Sequence, residues 1–504
     1  MGLENIDHIF VLMLENRSFD HLLGYSGITG ADAVTGSGTA LDGLLPDGAT
    51  NSDTQGNVFA TNLRAPDAMP EDPPHEFDFV RLQLLGSNAP GVNYANTPIT
   101  NSGFVRSYET VPRRNPLGDI LGCFAPDELP VMHALAKEFC VCDRWFSSLP
   151  GPTIPNRLFL HAATSGGDPA SPSTFSLGLA LADGHDSYKF VNGNVFQRMT
   201  AKGIPWVIYH GDDFAMAYAL DGVHFGAGKA FDPRNPAELA RFRQDLESPD
   251  LPNYIFIEPN WGNMLLGTYK GGNSMHPMDS VTSGEGLIKA VYEAIRASTC
   301  WPRSALIITF DEHGGFYDHV IPPSGVPAPG DVPSQPGFDF TQLGVRVPAL
   351  IISPWIPRNL VDHTIYDHTS VLATLRNRFP ELGSFTERDR NANDCAHLFS
   401  LPQPRTDAPM KLPESEFSDV PPPSPDPIAT ASAAALQDFA GASDPVTATQ
   451  VGFLHAAVNR HLQAVPEGER PQILQRVQGI QTNADLKSYL RDVKQVLDAT
   501  GGGS

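Results

Sequence analysis

Apolar and polar positions fall into short dense runs separated by longer, turn-rich stretches. Six apolar runs rich in β-formers are each followed at once by polar or turn residues: Ile9 to Leu14, Phe139 to Val141, Ile204 to Tyr209, Tyr254 to Ile257, Ala305 to Phe310 and Ala349 to Ile352. Runs of this length without period-two alternation read as strands buried on both faces, the pattern of a parallel sheet. Between them, apolar residues recur three and four apart, most clearly from Gly286 through Ala290, Val291, Ala294 and Ile295 toward Ser298. The alternation predicts an α/β fold, a largely parallel sheet flanked by helices. In such sheets ligands bind at the carboxyl ends of the strands, so the polar residues that follow each run are the place to look for chemistry.

Toward the C-terminus the pattern changes. Residues 402 to 427 hold prolines at 402, 404, 409, 413, 421, 422, 423, 425 and 427, a density that no helix or central strand accepts. The expected division is a body over 1–401, a Pro/Ala-rich linker or surface wrap over 402–449, a small helical C-terminal region over 450–500, and an appended Gly-Gly-Gly-Ser linker over 501–504. Within the tail, Leu486, Leu490, Val493 and Leu497 repeat at helical spacing behind a capping-box-like pair, Thr482 and Asp485. An apolar stripe of this kind seeks a partner surface.

Composition narrows the function. With 504 residues and 41% hydrophobic content the chain buries a large core, which excludes a disordered or disulfide-stapled scaffold. The formal charge of −23 repels phosphate backbones and anionic membranes, so nucleic acid is not an expected partner. An acidic enzyme still takes an anionic phosphate where local cations offset the field, which directs attention to a metal or a histidine cluster. The five cysteines, Cys123, Cys140, Cys142, Cys300 and Cys395, are odd in number and lack paired metal-knuckle spacings. No basic segment precedes an apolar stretch at the N-terminus and no run of about 18 apolar residues occurs, so no transmembrane segment is expected. Read as it stands the chain is cytoplasmic, or secreted if a signal has been removed.

Three motifs carry chemistry. Glu15-Asn16-Arg17-Ser18-Phe19-Asp20-His21 directly follows the first run. Its carboxylate and amide at a strand end supply hard oxygen ligands for a cation, although the same residues also suit a helix start whose acids complement the dipole. Asp311-Glu312-His313-Gly314-Gly315-Phe316-Tyr317-Asp318-His319 follows the fifth run. Two adjacent buried carboxylates repel unless a cation sits beside them; a solvated acidic turn is the plainer alternative. Gly151-Pro152-Thr153-Ile154-Pro155-Asn156-Arg157 has a proline suited to a first helical turn. Thr153 would then stand where backbone N–H groups favour an anion, as a nucleophile or merely as a cap.

These stretches, ENRSFDH, TxPNR and DExxGxxDHV, in this order and at these wide spacings, resemble the phosphoesterase family of bacterial and plant non-specific phospholipases C, whose related members are acid phosphatases. The resemblance covers roughly residues 1 to 400. It implies an alkaline-phosphatase-like core and a divalent metal held by Glu15, Asn16, Thr153, Asp311 and Glu312. The ligand chemistry fits magnesium, calcium or manganese, with zinc and iron remaining open. It also implies that Thr153 is the nucleophile of a phospho-threonine pathway. Histidines in the family line the phosphate site; the matches are His75 and His276, with His210 as a third candidate, whereas His8, His161 and His319 read as structural. Arg17 and Arg157 stay outside this set, because arginines at helix starts pair with nearby carboxylates.

The leading expectation is therefore phospholipase C-type hydrolysis of a phospholipid phosphodiester, with transient contact at a membrane surface. A broad-specificity acid phosphatase acting on small phosphate esters is the alternative, and a non-catalytic binding module a third, from another class. Diester versus monoester preference, head group and oligomeric state are not written in the sequence.

Overall fold

In the computed structural model of the chain, residues 2–112, 114–171, 187–212, 215–223, 228–264, 269–331, 337–414 and 442–499 are described. Fourteen strands occur in these segments: β1 (His8–Leu14), β2 (Thr29–Asp32), β3 (Gly38–Ala40), β4 (Thr50–Ser52), β5 (Val58–Ala60), β6 (Cys140–Cys142), β7 (Trp145–Phe146), β8 (Trp206–His210), β9 (Gly228–Ala230), β10 (Tyr254–Glu258), β11 (Ser304–Phe310), β12 (Ala349–Ile352), β13 (Leu360–Asp362) and β14 (Tyr366–Asp367). Ten of them form one sheet in the order β3-β2-β13-β6-β12-β11-β1-β10-β8-β9. All six apolar runs of the sequence are in it, shifted at most by two residues.

β1 lies in the interior of the sheet, parallel to both β11 and β10. Both faces are covered, which is why Ile9 through Leu14 are all buried and why the run shows no alternation. The sheet is largely parallel. β12 is the exception among its buried central strands, antiparallel to β11 and to β6. Direction is not readable from Ala349 to Ile352, because a strand buried on both faces has the same apolar sequence either way. Helices Pro130–Glu138, Val195–Lys202, Val281–Ala297 and Thr369–Arg378 flank the sheet. Val281–Ala297 starts five residues before the expected Gly286. Its Gly284 meets Met275 so closely that an added Cβ would lie 2.2 Å from the Met275 side chain.

The register decides where the chemistry sits. Leu14 pairs with Phe310 across the parallel β1 and β11, so the two strands end level and the residues that follow them, Glu15-Asn16 and Asp311-Glu312, leave the sheet side by side.

Residues 402–414 lie across helix Val281–Ala297: the Tyr292 hydroxyl donates to Pro409 O at 2.7 Å and Lys289 Nζ to Leu412 O at 2.8 Å. The prolines at 421–427 fall outside the described residues. Beyond them, helices Ala448–Ala464, Arg470–Gln478 and Asn483–Ala499 share a small core in which Leu486, Leu490 and Val493 meet Val451, Leu454 and Val458. The apolar stripe thus packs within the tail; the Leu497 side chain lies outside the described residues. The other face of Ala448–Ala464 joins the main core through Phe453 and Ala456. Phe453 meets Trp261 edge-on with ring centroids 4.8 Å apart, and Asn459 donates to Tyr218 O at 3.0 Å. Thr482 and Asp485 form the reciprocal cap read from the sequence.

Candidate active site

Thr153 is the first residue of helix Thr153–Ala162, and its side chain is buried. Asn156 of the same motif fixes the turn before it, accepting the Leu149 N–H at 3.1 Å and donating to Gly151 O at 2.9 Å and Pro152 O at 3.0 Å. Held there, the Thr153 hydroxyl donates to Asn16 Oδ1 at 3.1 Å. Asn16 takes a left-handed backbone, φ 54°, which Asn tolerates better than most residues. That turn aims its N–H at Asp311 Oδ1, 3.0 Å away.

Glu15, Asn16, Thr153 and Asp311 therefore come together, with Glu312 next in the chain to Asp311, all fully buried. Arg157, one helical turn beyond Thr153, donates to Asp311 Oδ2 at 3.0 Å and to Glu15 Oε1. Its guanidinium lies 4.9 Å from the Trp261 ring centroid. Burial and the neighbouring Asp311 carboxylate push Glu15 well above the usual carboxylate range. For Asp311 burial acts upward too, but Arg157 and the hydrogen bonds around it outweigh that and hold it below. Glu312 accepts the Gly314 N–H at 2.8 Å through Oε2, and His313 Nδ1 lies 3.1 Å from the same oxygen. Glu15 and Asp311 thus share one guanidinium. Glu15 Oε2 and Glu312 Oε1 are buried with no hydrogen-bond partner. Two orphaned, buried carboxylate oxygens fit a cation bound by oxygen ligands.

His75 and His276 flank this group from two further loops. His75 Nδ1 donates to Pro73 O at 2.7 Å. Burial alone would lower its imidazole, but the carboxylates of Asp72, Glu312 and Glu76 outweigh that and push it up to about 9. His276 is fully buried and stacks on Tyr269 with centroids 3.5 Å apart. Its loop hangs on Arg17, which donates to Met275 O at 2.7 Å and His276 O at 3.2 Å.

His210 is not brought to the site. It ends β8, with β10 between it and β1, and both its ring nitrogens are engaged, Nδ1 by Asp212 O at 2.6 Å and Nε2 by the Tyr218 hydroxyl at 3.1 Å. A histidine at a strand end looks alike in sequence whichever strand carries it. The sequence reading also passed over Asn156, Asp72 and His368. His368 accepts the Trp145 indole N–H at Nδ1 and so carries its proton on Nε2, which donates to Asp311 O at 2.6 Å. No local pattern marks it; only the sheet carries it under Asp311.

Among the described residues, the group of carboxylates and histidines with metal-like spacing is another one, Asp20, Asp318 and His319. Arg346 occupies it, donating to Asp20 Oδ1 at 2.9 Å and Asp318 Oδ1 at 3.1 Å, while His319 Nδ1 lies 2.7 Å from Asp20 Oδ2. It is a buried ion network closed by protein groups. No helix among the described residues is long and apolar enough to cross a membrane.

The profile of the phosphoesterase family matches residues 6–380. Non-specific phospholipase C3 of Arabidopsis thaliana is 34% identical over 435 residues, covering 81% of this chain and 76% of that protein. Non-specific phospholipase C6 of the same plant is 37% identical over 424 residues, covering 81% and 75%. Phospholipase C B of Mycobacterium tuberculosis is 28% identical over 478 residues, covering 82% and 83%. Among solved structures, the phosphonate monoester hydrolase of Agrobacterium radiobacter overlaps at a TM-score of 0.30 and 12% identity, covering 50% of this chain and 69% of that one.

Proposed function

The chain belongs to the phosphoesterase family, and from that premise we propose that it hydrolyses phospholipid phosphodiesters in the manner of a phospholipase C, through a phospho-threonine on Thr153. The observation that carries this reading is a buried threonine hydroxyl at a helix N-terminus, 3.1 Å from Asn16 Oδ1, on the strand-end loops that carry the unpartnered buried oxygens of Glu15 and Glu312. Glu15, Asn16, Thr153, Asp311 and Glu312 would hold a divalent metal, which would lower the hydroxyl's pKa and polarise the phosphoryl group.

The chain's own groups do the rest. Thr153, its proton released to solvent, attacks phosphorus; the bond to the leaving glyceride oxygen breaks, and that oxygen takes a proton from a histidine. Water then attacks the phospho-threonine and returns a proton to the same imidazole, while the bond from phosphorus to Thr153 Oγ1 breaks and frees the threonine oxygen for the next turnover. The N-terminus of helix Thr153–Ala162 favours the phosphoryl charge in both half-reactions, and Arg157 holds Glu15 and Asp311 in their places.

The test is a paired assay with phosphatidylcholine vesicles and 4-nitrophenyl phosphate, metal content being measured on the same sample. Thr153→Ala should fold normally and lose nearly all turnover, whereas Thr153→Ser should keep an appreciable rate. A loss of only a few-fold in Thr153→Ala refutes the nucleophile. A monoester rate above the diester rate across pH 5 to 8 favours an acid phosphatase instead.

A further inference from the structure

One carboxylate reaches both histidines beside the metal ligands, and it belongs to neither the metal group nor the arginine pairs. Asp72 Oδ2 lies 3.4 Å from His276 Nε2 and Asp72 Oδ1 lies 3.8 Å from His75 Nδ1. We infer that Asp72 is a positioning residue, which takes the His276 Nε2–H and lies beside His75 Nδ1, and by fixing both rings supports proton delivery from His75 to the leaving oxygen. The inference rests on the phosphodiesterase reading above and adds to it a residue outside the metal and nucleophile set.

The hydrogen bonds of each ring assign its protons. His276 Nδ1 accepts the Met278 N–H at 3.3 Å, so the neutral ring carries its proton on Nε2. That nitrogen is buried and faces Asp72 Oδ2 at 3.4 Å, so the carboxylate is the group that holds the ring. His75 Nδ1 is tied to Pro73 O at 2.7 Å, which leaves Nε2 as the nitrogen for the substrate. Burial would lower the His75 imidazole, but the carboxylates around it, Asp72 first among them, push it upward. His75, whose Nε2 is left for the substrate, is thus the ring suited to give up a proton, and His276 is the ring Asp72 holds in place.

The frame around Asp72 is built to hold this geometry. Its loop is stapled to the His276 loop by the Met69 N–H on Pro277 O at 2.6 Å and by the Ser280 hydroxyl on Asp67 Oδ1 at 3.1 Å. Tyr269 clamps the His276 ring from one face. In the reaction, the electron pair of the breaking P–O bond takes the proton from His75 Nε2 and leaves the ring neutral; the water of the second half-reaction recharges it.

The experiment compares two phosphocholine esters with different leaving groups. With phosphatidylcholine the leaving alkoxide needs a proton; with 4-nitrophenyl phosphocholine the phenolate does not. In full-length protein, Asp72→Asn should slow the first by about 10-fold or more and the second by less than about 3-fold. His75→Gln should show the same pattern, and the double variant should be no slower than His75→Gln. Equal losses on both esters, or losses that add in the double variant, overturn the inference. A second measurement does not depend on turnover. At pH 7 the imidazole ¹⁵N resonances of His75 and His276 should move in Asp72→Asn while those of His8 and His319 stay, and unmoved resonances overturn the inference. If the resonances move but neither ester is turned over by the wild-type protein, the phosphodiesterase reading fails and the positioning role stands.

Discussion

Gly314→Ala tests whether two loops that never adjoin in sequence set the site together. Gly314 has φ +63°, and a Cβ built there would lie 2.1 Å from Asn16 O, 2.7 Å from Asn16 C and 2.8 Å from Asn16 Cβ. These are backbone or root atoms, so no rotamer change relieves the overlap. Asn16 O would have to retreat by about 1 Å to approach ordinary van der Waals separation. Overpacking of this kind costs roughly 1–3 kcal/mol, and the left-handed backbone adds ~1 kcal/mol for a residue with a Cβ. Stability should therefore fall by about 2–4 kcal/mol in urea titration. The rate should fall further than stability explains. Asn16 is the acceptor for Thr153 and a donor to Asp311, and a displacement of about 1 Å at reacting groups costs on the order of 100-fold. Gly36→Ala is the control, since Gly36 has φ +70° but nothing within 4 Å of its built Cβ; it should lose ~1 kcal/mol and keep full activity. Gly314→Ala with a native urea midpoint and more than about half the wild-type rate would refute the reasoning.

His319 gives a pH-dependent prediction. Burial alone would lower its imidazole, but hydrogen bonds to Asp20 and Asp42 push it from 6.5 up to about 10. A base raised on folding contributes stability that is full below pH 6.5 and lost as pH rises through 10, so His319→Gln should lower the urea midpoint most at pH 6 and least at pH 10. An equal loss at both would contradict this. Arg157→Met leaves Glu15 and Asp311 buried without their cation and should cost about 3–5 kcal/mol, read by denaturation before and after metal loading. Phe453→Ala removes a buried ring from Trp261, which itself backs Arg157; a loss of about 3–5 kcal/mol is expected. A chain ended at residue 414 should lose at least as much, and a native unfolding midpoint in that truncation would show the tail to be a passive appendage.

Much of the molecule was legible before folding was considered. Strands buried on both faces leave unbroken apolar runs, so the positions of β1, β8, β10, β11 and β12 stood out, as did the polar residues that follow β1 and β11. The direction of β12 did not, because burial on both faces erases the difference between parallel and antiparallel. β2, β3 and β9 are too short and too exposed to leave a pattern.

At the site, the residue types in the ENRSFDH, TxPNR and DExxGxxDHV stretches were enough to name Glu15, Asn16, Thr153, Asp311 and Glu312 as candidates. What the sequence by itself determined was thus the supply of oxygen ligands and one hydroxyl, each at the end of a strand or the start of a helix. Their convergence is a matter of register: Leu14 pairs with Phe310, and only that alignment sets Glu15 beside Asp311. The histidines divide for the same reason. His75, His276 and His210 are alike as residues, but loop contacts hold the first two on either side of Asp72, while strand order sets His210 beyond β10. Local sequence selects residue chemistry through side chains and backbone preferences a few positions apart. Contacts spanning hundreds of residues are chosen by the packing of the whole sheet, and that is where Asp72, Arg157 and His368 acquired their partners.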